Sequence, residues 1–172
     1  MRNRKHVRPP SVSSPETLAV GAGGRDKTPM VDFAGLSELL GYRLRRAQGS
    51  VHRDFVATMG KLRITQKQAA VLWLVQSNPG VMQGAIGAAL GMDRATMMTL
   101  VNRLEGRGVL KRRQSRIDAR RRELHLTAAG VRLIGRVRER IKEHERRVRF
   151  CFRDDELRVL KSLLQRLQSL DT

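Results

Sequence analysis

The sequence has little cysteine, few aromatic residues and no long apolar run. Its single cysteine, Cys151, cannot form an internal disulfide or supply a CxxC metal-binding motif. Aromatic residues make up 3% of the chain and apolar residues 40%, which favours a core of aliphatic side chains on helices. Since no apolar run approaches the ~20 residues of a membrane span and no signal peptide is recognisable, we expect a cytoplasmic protein without a membrane partner.

Acidic residues are also scarce, with 16 Asp+Glu against 35 Lys+Arg and a formal net charge of +19. Such a charge attracts polyanions, so nucleic acid is the first partner to consider. A charged surface that serves only solubility would show mixed signs and a modest net charge. The histidines are scattered, so we expect no metal site, no nucleophilic triad and no cofactor; they are His6, His52, His125 and His144.

The chain divides by composition into an arm and one domain. Residues 1–31 combine basic residues with Pro, Ser and Gly and lack a sustained apolar period, which predicts a disordered basic arm. Residues 32–172 form the expected domain. Apolar residues three and four positions apart from Leu36 to Phe55 predict a first helix that Gly60 ends.

The next segments predict a helix-turn-helix. Thr65 and Gln68 form a plausible capping box for a second helix. Its predicted apolar set is Ala69, Leu72, Trp73 and Val75 or Gln76. A short helix from about Met82 ends at Gly91, and Asp93 caps a further helix that runs to about Gly106. Two helices joined by a tight glycine-containing turn are typical of that motif.

A small β-hairpin and two helices complete the predicted fold. Val109–Arg113 and Glu123–Leu126 read as strands that flank a basic loop. Thr127 caps a long helix, and a last helix begins at three consecutive acidic residues. The stripe of that last helix consists of Leu157, Leu160, Leu163, Leu164, Leu167 and Leu170. We therefore expect a mainly α fold with a small β-hairpin wing.

The helix that starts after Asp93 carries the side chains expected to read DNA. Its apolar side is assigned to Ala95, Met98, Val101 and Leu104. That phase leaves Arg94, Thr96, Met97, Thr99, Asn102 and Arg103 outside. Arginine suits guanine and asparagine suits adenine, while threonine suits phosphates and exposed methyl groups suit thymine. The alternative is an ordinary solvated helix face.

The basic hairpin offers a second set of DNA contacts. Between Asp93 and Thr127 there are ten Lys/Arg and four acids. The residues expected to contact DNA there are Arg112, Arg116, Asp118, Arg120, Arg121 and Arg122. An arginine at the hairpin tip can enter the minor groove, and Asp118 can orient it through a charged hydrogen bond. Alternatively, Asp118 only forms the turn.

The stretch LGMDRATMMTLVNRLEGRGVLKRRQSRIDARRRELHLTAAG resembles the MarR family of winged helix-turn-helix regulators, and the similarity extends over about Leu36 to Leu170. Residues 93–108 resemble the family's recognition helix, and Asp118-Ala119-Arg120 matches its wing element. The resemblance implies a homodimer, joined through helices in 32–59 and 128–172, in which residues 62–127 bind a palindromic operator and Arg120 enters the minor groove. Met82 stands where the family usually has a Ser or Thr cap.

The resemblance also implies regulation by a small ligand. The segment LGYRLRRAQGSVHRDF is similar to the branch that senses aromatic acids or their coenzyme A thioesters. The candidate pocket between the first, second and fifth helices is lined by Tyr42, Arg46, His52, Arg53, Phe55 and Trp73. Alternatively, Phe55 and Trp73 are core residues, and the two arginines are solvated.

A homodimeric transcriptional repressor that an aromatic acid or aromatic acyl-CoA releases from its operator is therefore the expected function. Two half-sites about one DNA turn apart (~34–36 Å) independently favour a dimer, whereas internal packing of the leucine stripes would give a monomer. The alternative is a non-specific architectural DNA-binding protein. An enzyme acting on nucleic acid lacks clustered carboxylates. Cys151, between two phenylalanines, is expected to be a buried packing thiol rather than a peroxide sensor.

Overall fold

The computed structural model describes residues 31–115 and 122–171. The chain divides into two units, Met1–Gly35 and Leu36–Thr172. The predicted basic arm, residues 1–31, lies outside the described residues except for Val31. In residues 31–35, the Asp32 carboxylate accepts a hydrogen bond from the backbone N–H of Ala34 at 2.9 Å. All helices and strands described below belong to the second unit.

The first helix, α1, spans Leu40–Met59 and follows a 3₁₀ turn at Leu36–Glu38. It therefore begins four residues later than the periodicity predicts. Gly60 ends it as expected, because its positive φ of 44° directs its N–H back to the carbonyl of Val56. Only the last turn of α1 is buried, through Phe55, Thr58 and Met59.

The second helix, α2, spans Gln66–Ser77 and begins with the predicted capping box. The Thr65 hydroxyl accepts from the N–H of Gln68 at 3.2 Å, and the Gln68 side chain accepts from the N–H of Thr65 at 3.1 Å. The prediction that Trp73 belongs to the apolar set is wrong, because its side chain is 38% exposed. Instead, the Arg138 guanidinium lies over the indole ring, 4.3 Å from its centroid.

Two further helices form the predicted helix-turn-helix: α3, Gln83–Ala89, and α4, Arg94–Gly106. Gly91 in the turn has a φ of 59°, which glycine adopts without a Cβ penalty. Gly87 is buried, and a Cβ there would lie 3.3 Å from the carbonyl oxygen of Met92. Glycine at this position therefore allows α3 to pack closely against the turn, although it lowers intrinsic helix propensity.

The wing consists of strands β1, Leu110–Gln114, and β2, Arg122–Leu126. They pair antiparallel, with Leu110 opposite Leu126 and Gln114 opposite Arg122. The turn between α2 and α3 joins the other side of β2, since the N–H of Leu124 donates to the carbonyl of Val81 at 2.9 Å. This pairing attaches the hairpin to the helix-turn-helix.

The long helix α5 spans Ala128–Phe150 and is capped by Thr127, as predicted. The Thr127 hydroxyl accepts from the N–H of Gly130 at 3.0 Å and donates to the carbonyl of Gly108 at 2.7 Å. A Cβ at Gly130 would lie 1.9 Å from the carbonyl oxygen of Val109. A side chain is therefore excluded where α5 meets the start of the hairpin.

The last helix, α6, spans Asp154–Gln168 and contains no buried residue. The hydrophobic core instead lies between Phe55 and Val137, and it joins the end of α1, the helix-turn-helix, the wing and the first half of α5. The expectation of a mainly α fold with a small β-hairpin wing is confirmed, and the arrangement is a winged helix-turn-helix.

Candidate nucleic-acid interface

The buried side of α4 differs from the predicted one. Met97, Leu100, Val101 and Leu104 are buried. Each helical residue turns the side chain by about 100°, so Met97 and Leu104, seven positions apart, differ by only ~20°. The predicted apolar side runs from Ala95 to Leu104 in steps of three. These two residues are nine positions apart, so their side chains point about 180° away from each other around the helix axis.

The prediction that Met97 reads DNA from the outside is therefore wrong, since its side chain is 1% exposed. Met98, assigned to the core, is 45% exposed and takes the outer position. The outer face of α4 consists of the exposed residues Arg94, Ala95, Met98, Thr99, Asn102, Arg103 and Gly106. Four of the six predicted readers on this helix thus lie on its outer face.

Thr96 belongs to the cap of α4. Its N–H donates to Asp93 Oδ1 at 2.8 Å, and its hydroxyl donates to Asp93 Oδ2 at 2.6 Å. These bonds, first from the hydroxyl and then from the N–H, hold the pKa of Asp93 below its usual value of 3.8. The carboxylate is therefore charged at neutral pH and fixes the N-terminus of the helix.

Arg112 connects the wing to the helix-turn-helix. Its guanidinium forms an ion pair with Glu105, and its backbone N–H donates to the same carboxylate at 3.0 Å. One guanidinium nitrogen also donates to Asn102 Oδ1 at 2.7 Å and to Gln83 Oε1 at 3.3 Å. Because its donors are used inside the protein, the arrangement favours a role for Arg112 in fixing the Asn102 amide.

Part of the predicted hairpin site can be located. Arg122 is exposed at the end of β2 nearest the loop. Arg116, Asp118, Arg120 and Arg121 lie outside the described residues. Their expected roles remain predictions.

A basic groove that the sequence does not predict lies beside α4. It has a volume of about 380 Å³ and is lined by Arg63, Gln68, Arg103 and Arg107. We call this set the arginine groove. Arg103 and Arg107 are one helical turn apart, which the sequence reveals, but Arg63 lies before α2 and 44 positions from Arg107, so only the fold brings them together.

The predicted ligand residues on α1 form one stripe only in part. Tyr42, Arg46 and Arg53 share a face because eleven residues complete about three helical turns. Arg46 donates to the Tyr42 hydroxyl at 3.2 Å and lies over its ring, 5.9 Å from the centroid. Arg53 donates to the Ser50 hydroxyl at 2.9 Å. The three side chains thus leave one positively charged, partly aromatic face on α1.

The other three predicted ligand residues, His52, Phe55 and Trp73, lie apart from this face. His52 Nδ1 lies 3.1 Å from Gln66 Oε1, which joins α1 to α2. Phe55 is 4% exposed and contacts His144 edge-on at 5.7 Å between ring centroids, so the core alternative is correct for this residue. Trp73 is exposed beneath Arg138. None of the six lines either the arginine groove or the second cavity, described below.

A polar cluster missed by the sequence reasoning joins α1 to α5. Asp54 accepts from Arg147 Nε at 2.9 Å and from Nδ1 of the buried His144 at 2.5 Å. Arg147 also donates to the Thr58 hydroxyl. The hydrogen bonds of Arg147, followed by that of His144, lower the pKa of Asp54 from its usual 3.8. The pKa of Arg147 is raised, chiefly by its bond to Asp54.

The second cavity, of about 470 Å³, lies at the turn between α5 and α6. Its lining residues are Cys151, Phe152, Asp155, Glu156, Val159, Leu160 and Leu163. The prediction that Cys151 is a buried packing thiol is wrong, because the residue is exposed and its neighbour Phe150 is 89% exposed. Phe150 does not cover the thiol, and Phe152, which is 39% exposed, lines the same cavity as Cys151.

The geometry of residues 31–115 and 122–171 bears on membrane insertion and on metal binding. Within these ranges, none of the helices has the length and apolar character of a bilayer span. The same ranges contain no group of three His, Cys, Asp or Glu side chains suited to a metal ion.

Three comparisons place this geometry in a family. The family model described as MarR family matches residues 64–121. A protein assigned to transcriptional regulation of the hcr operon in Thauera aromatica is 32% identical over 134 residues, which cover 77% of this chain and 81% of that protein. The region that the family model matches includes α4 and β1, so it contains the outer face of α4 described above.

Solved structures of three complexes are similar to this chain over almost the whole length of the solved chains. The transcriptional repressor CouR, bound to a 23-mer DNA duplex, shares 34% identity, with a TM-score of 0.75 over 81% of this chain and 99% of that one. CouR bound to p-coumaroyl-CoA gives 33% identity and a TM-score of 0.75 over 81% and 98%. The PcaV regulator from Streptomyces coelicolor, in complex with its natural ligand, gives 30% identity and a TM-score of 0.73 over 84% and 99%.

These relatives are transcriptional regulators, not enzymes, and the two solved ones share the fold of this chain over almost their whole length. The fold, the sequence identity and the family match agree with one another, and the chain is therefore a transcriptional regulator that belongs to the MarR family.

Proposed function

We propose that the protein is a homodimeric DNA-binding repressor that an aromatic acid or aromatic acyl-CoA releases from a palindromic operator. The observation that carries the DNA-binding part is the outer face of α4, where Arg94, Thr99, Asn102 and Arg103 are all exposed, with Arg94 and Arg103 at its two edges about 180° apart. The likeness to a repressor bound to a DNA duplex supports it. Met98, also exposed, supplies a methyl group for thymine in place of Met97.

Base reading by α4 is supported by the orientation of Asn102. Its Oδ1 already accepts from Arg112, which fixes the plane of the amide and leaves Nδ2 as the donor. A fixed amide loses less conformational entropy on binding a base than a free one. We therefore assign Asn102 to a base and Arg112 to its positioning, with Arg120 and its neighbours in the loop as the minor-groove contacts.

The dimer is supported by surfaces that the single chain leaves uncovered. In α6, Leu163 is 46% exposed and Leu164 is 39% exposed, and at the other end of the unit Leu39 and Leu40 are 58% and 63% exposed. Apolar stripes of this kind are typical of an interface with another molecule. A second copy covers both and spaces two α4 helices for the half-sites of one operator.

The effector is proposed from the relatives and from α1. CouR is solved with p-coumaroyl-CoA, and α1 presents Arg46 beside Tyr42, with Arg53 about two turns further along the same face. Guanidinium groups bind carboxylates and phosphates in forked geometry, and a phenol ring packs on an aromatic acid. A ligand that binds one arrangement of the dimer better than the other shifts it away from DNA.

The first experiment tests specific DNA binding. Fragments that the protein selects from the genomic DNA of its source are competed against random DNA at fixed salt, and a preference of ~10³ or more is expected. Loss of preference would support the architectural alternative, which the net charge of +19 favours. Asn102→Ala is expected to weaken binding about 10- to 100-fold. Lys142→Ala, on a 72% exposed side chain of α5, is the matched control.

Further variants separate the two DNA-contacting elements from the dimer. Arg94→Ala and Arg120→Ala are each expected to weaken operator binding, while sedimentation still gives a dimer. Unchanged affinity in both would contradict the assigned roles.

The effector is tested by titrating the protein–operator complex with aroyl-CoA and hydroxycinnamoyl-CoA thioesters and with the free acids. Release by at least one of them is expected, with free coenzyme A as the control. Arg46→Ala is expected to raise the concentration needed for release without changing operator affinity. Release by none of these compounds would exclude this ligand class.

A further inference from the structure

The arginine groove is a site of strong positive charge that adjoins the outer face of α4. Of its four lining residues, three carry guanidinium groups and the fourth, Gln68, carries an amide. We propose that the arginine groove binds a phosphate of the DNA backbone next to the major groove that α4 enters. This inference rests on the proposed DNA-binding function and adds a phosphate site to it.

The groove is held in shape by Arg107. Its guanidinium donates to the carbonyl of Arg63 at 2.8 Å and to the carbonyl of Leu62 at 3.1 Å. Carbonyl partners orient a guanidinium without neutralising its charge. Arg107 thus connects the end of α4 to the turn before α2 and still contributes a full positive charge to the groove.

Arg63 adopts a backbone conformation that its side chain does not favour. Its φ of 46° and ψ of 51° lie in the left-handed region, where glycine is unstrained and other residues are uncommon. A turn that needed only this backbone shape would be better served by glycine. Since strained residues cluster at functional sites, the position of Arg63 indicates that its side chain is used.

The phosphate that fits the arginine groove belongs either to DNA or to a free small molecule, and the position of Arg103 decides between these two sources. It lines the groove and is also exposed on the outer face of α4, so the two surfaces are continuous. When a helix lies in the major groove, the flanking phosphates reach the protein on either side of it. A DNA phosphate is therefore favoured over the phosphate of a free small molecule.

The test compares operator binding at several salt concentrations for the wild type, Arg63→Gly, Arg63→Lys and the control Lys142→Ala. Arg63→Gly is expected to lower affinity about tenfold at ~0.15 M salt. It should also reduce the slope of log K against log salt by about one. Its melting temperature should not fall, because glycine relieves the strain at positive φ. Arg63→Lys should retain most of the wild-type slope because it keeps the positive charge, and Lys142→Ala should have the slope and the affinity of the wild type.

Two results would overturn the inference. One is a salt slope for Arg63→Gly equal to that of the wild type. The other is loss of stabilisation by inorganic pyrophosphate in Arg63→Gly without any change in DNA binding, which would assign the groove to a free phosphate compound. Failure of the proposed function itself looks different, because the wild type would then show no preference for its selected fragments over random DNA.

Discussion

The chain contains two kinds of apolar surface. Between Phe55 and Val137 apolar side chains close into a core, and Leu72, Val101, Leu104 and Leu124 are fully buried. By contrast, α6 has a regular leucine stripe whose members are at most half-buried. Helical periodicity therefore predicts an apolar face but not which molecule covers it. In the winged helix-turn-helix the cover is the chain itself, whereas for α6 we propose a second copy.

The largest effect is expected from a cavity in the closed core. Leu104→Ala removes a fully buried side chain from α4 and should lower the free energy of unfolding by about 2–5 kcal/mol, measured by urea denaturation. Val159→Ala, at a residue of α6 that is 58% exposed, should change it by less than about 1 kcal/mol. Equal losses in the two variants would mean that α6 is as well packed as the core.

The next effect concerns the proposed cover of α6. The double variant Leu163→Glu, Leu164→Glu places two carboxylates on its apolar stripe, and uncompensated charge in an interface should weaken dimerisation at least about 100-fold. Sedimentation velocity measures the dimer, and circular dichroism should show unchanged helix content. Lys161→Glu, at an exposed position of the same helix, is the control. A dimer as tight as that of the wild type would refute the assignment of this surface.

Local patterns were predicted well because a cap or a turn depends on residues a few positions apart. Asp93, Thr65 and Thr127 all cap helices as expected. The predicted phase of α4 is wrong because it follows every third residue, and such a series drifts around the helix by about 60° per step. The correct series, from Met97 to Leu104, mixes steps of three and one.

Long-range side-chain contacts could not be predicted. The bond from Arg107 to Arg63 spans 44 positions, and that from His144 to Asp54 spans 90. Neither separation marks the pair in the sequence, because a charged residue occurs every few positions in this chain and many other pairs are equally far apart. The arginine groove and the cluster between α1 and α5 therefore appear only when the helices have been packed together.

A smaller effect is expected at the N-terminus of α2, a helix whose buried side belongs to the closed core. Thr65→Ala removes the hydroxyl that accepts from Gln68 and should lower the free energy of unfolding by about 1 kcal/mol. Thr65→Ser retains the acceptor and should be about as stable as the wild type. Thermal or urea unfolding of the wild type and the two variants measures the order of their stabilities. An alanine variant as stable as the wild type would show that the capping box contributes nothing here.

The smallest effect tests the polar contact between α1 and the second half of α5. Because the pKa of Asp54 is lower in the folded protein than its usual 3.8, its stabilisation is present above that value. The stabilisation is lost as the pH falls from there through the folded pKa. Solvent reaches the carboxylate, whose side chain is 36% exposed, and screens part of the attraction. Asp54→Asn should therefore melt below the wild type at pH ~6, and the gap should narrow toward pH ~3. A gap that stays constant over this range would mean that the charge of Asp54 does not hold α1 against α5.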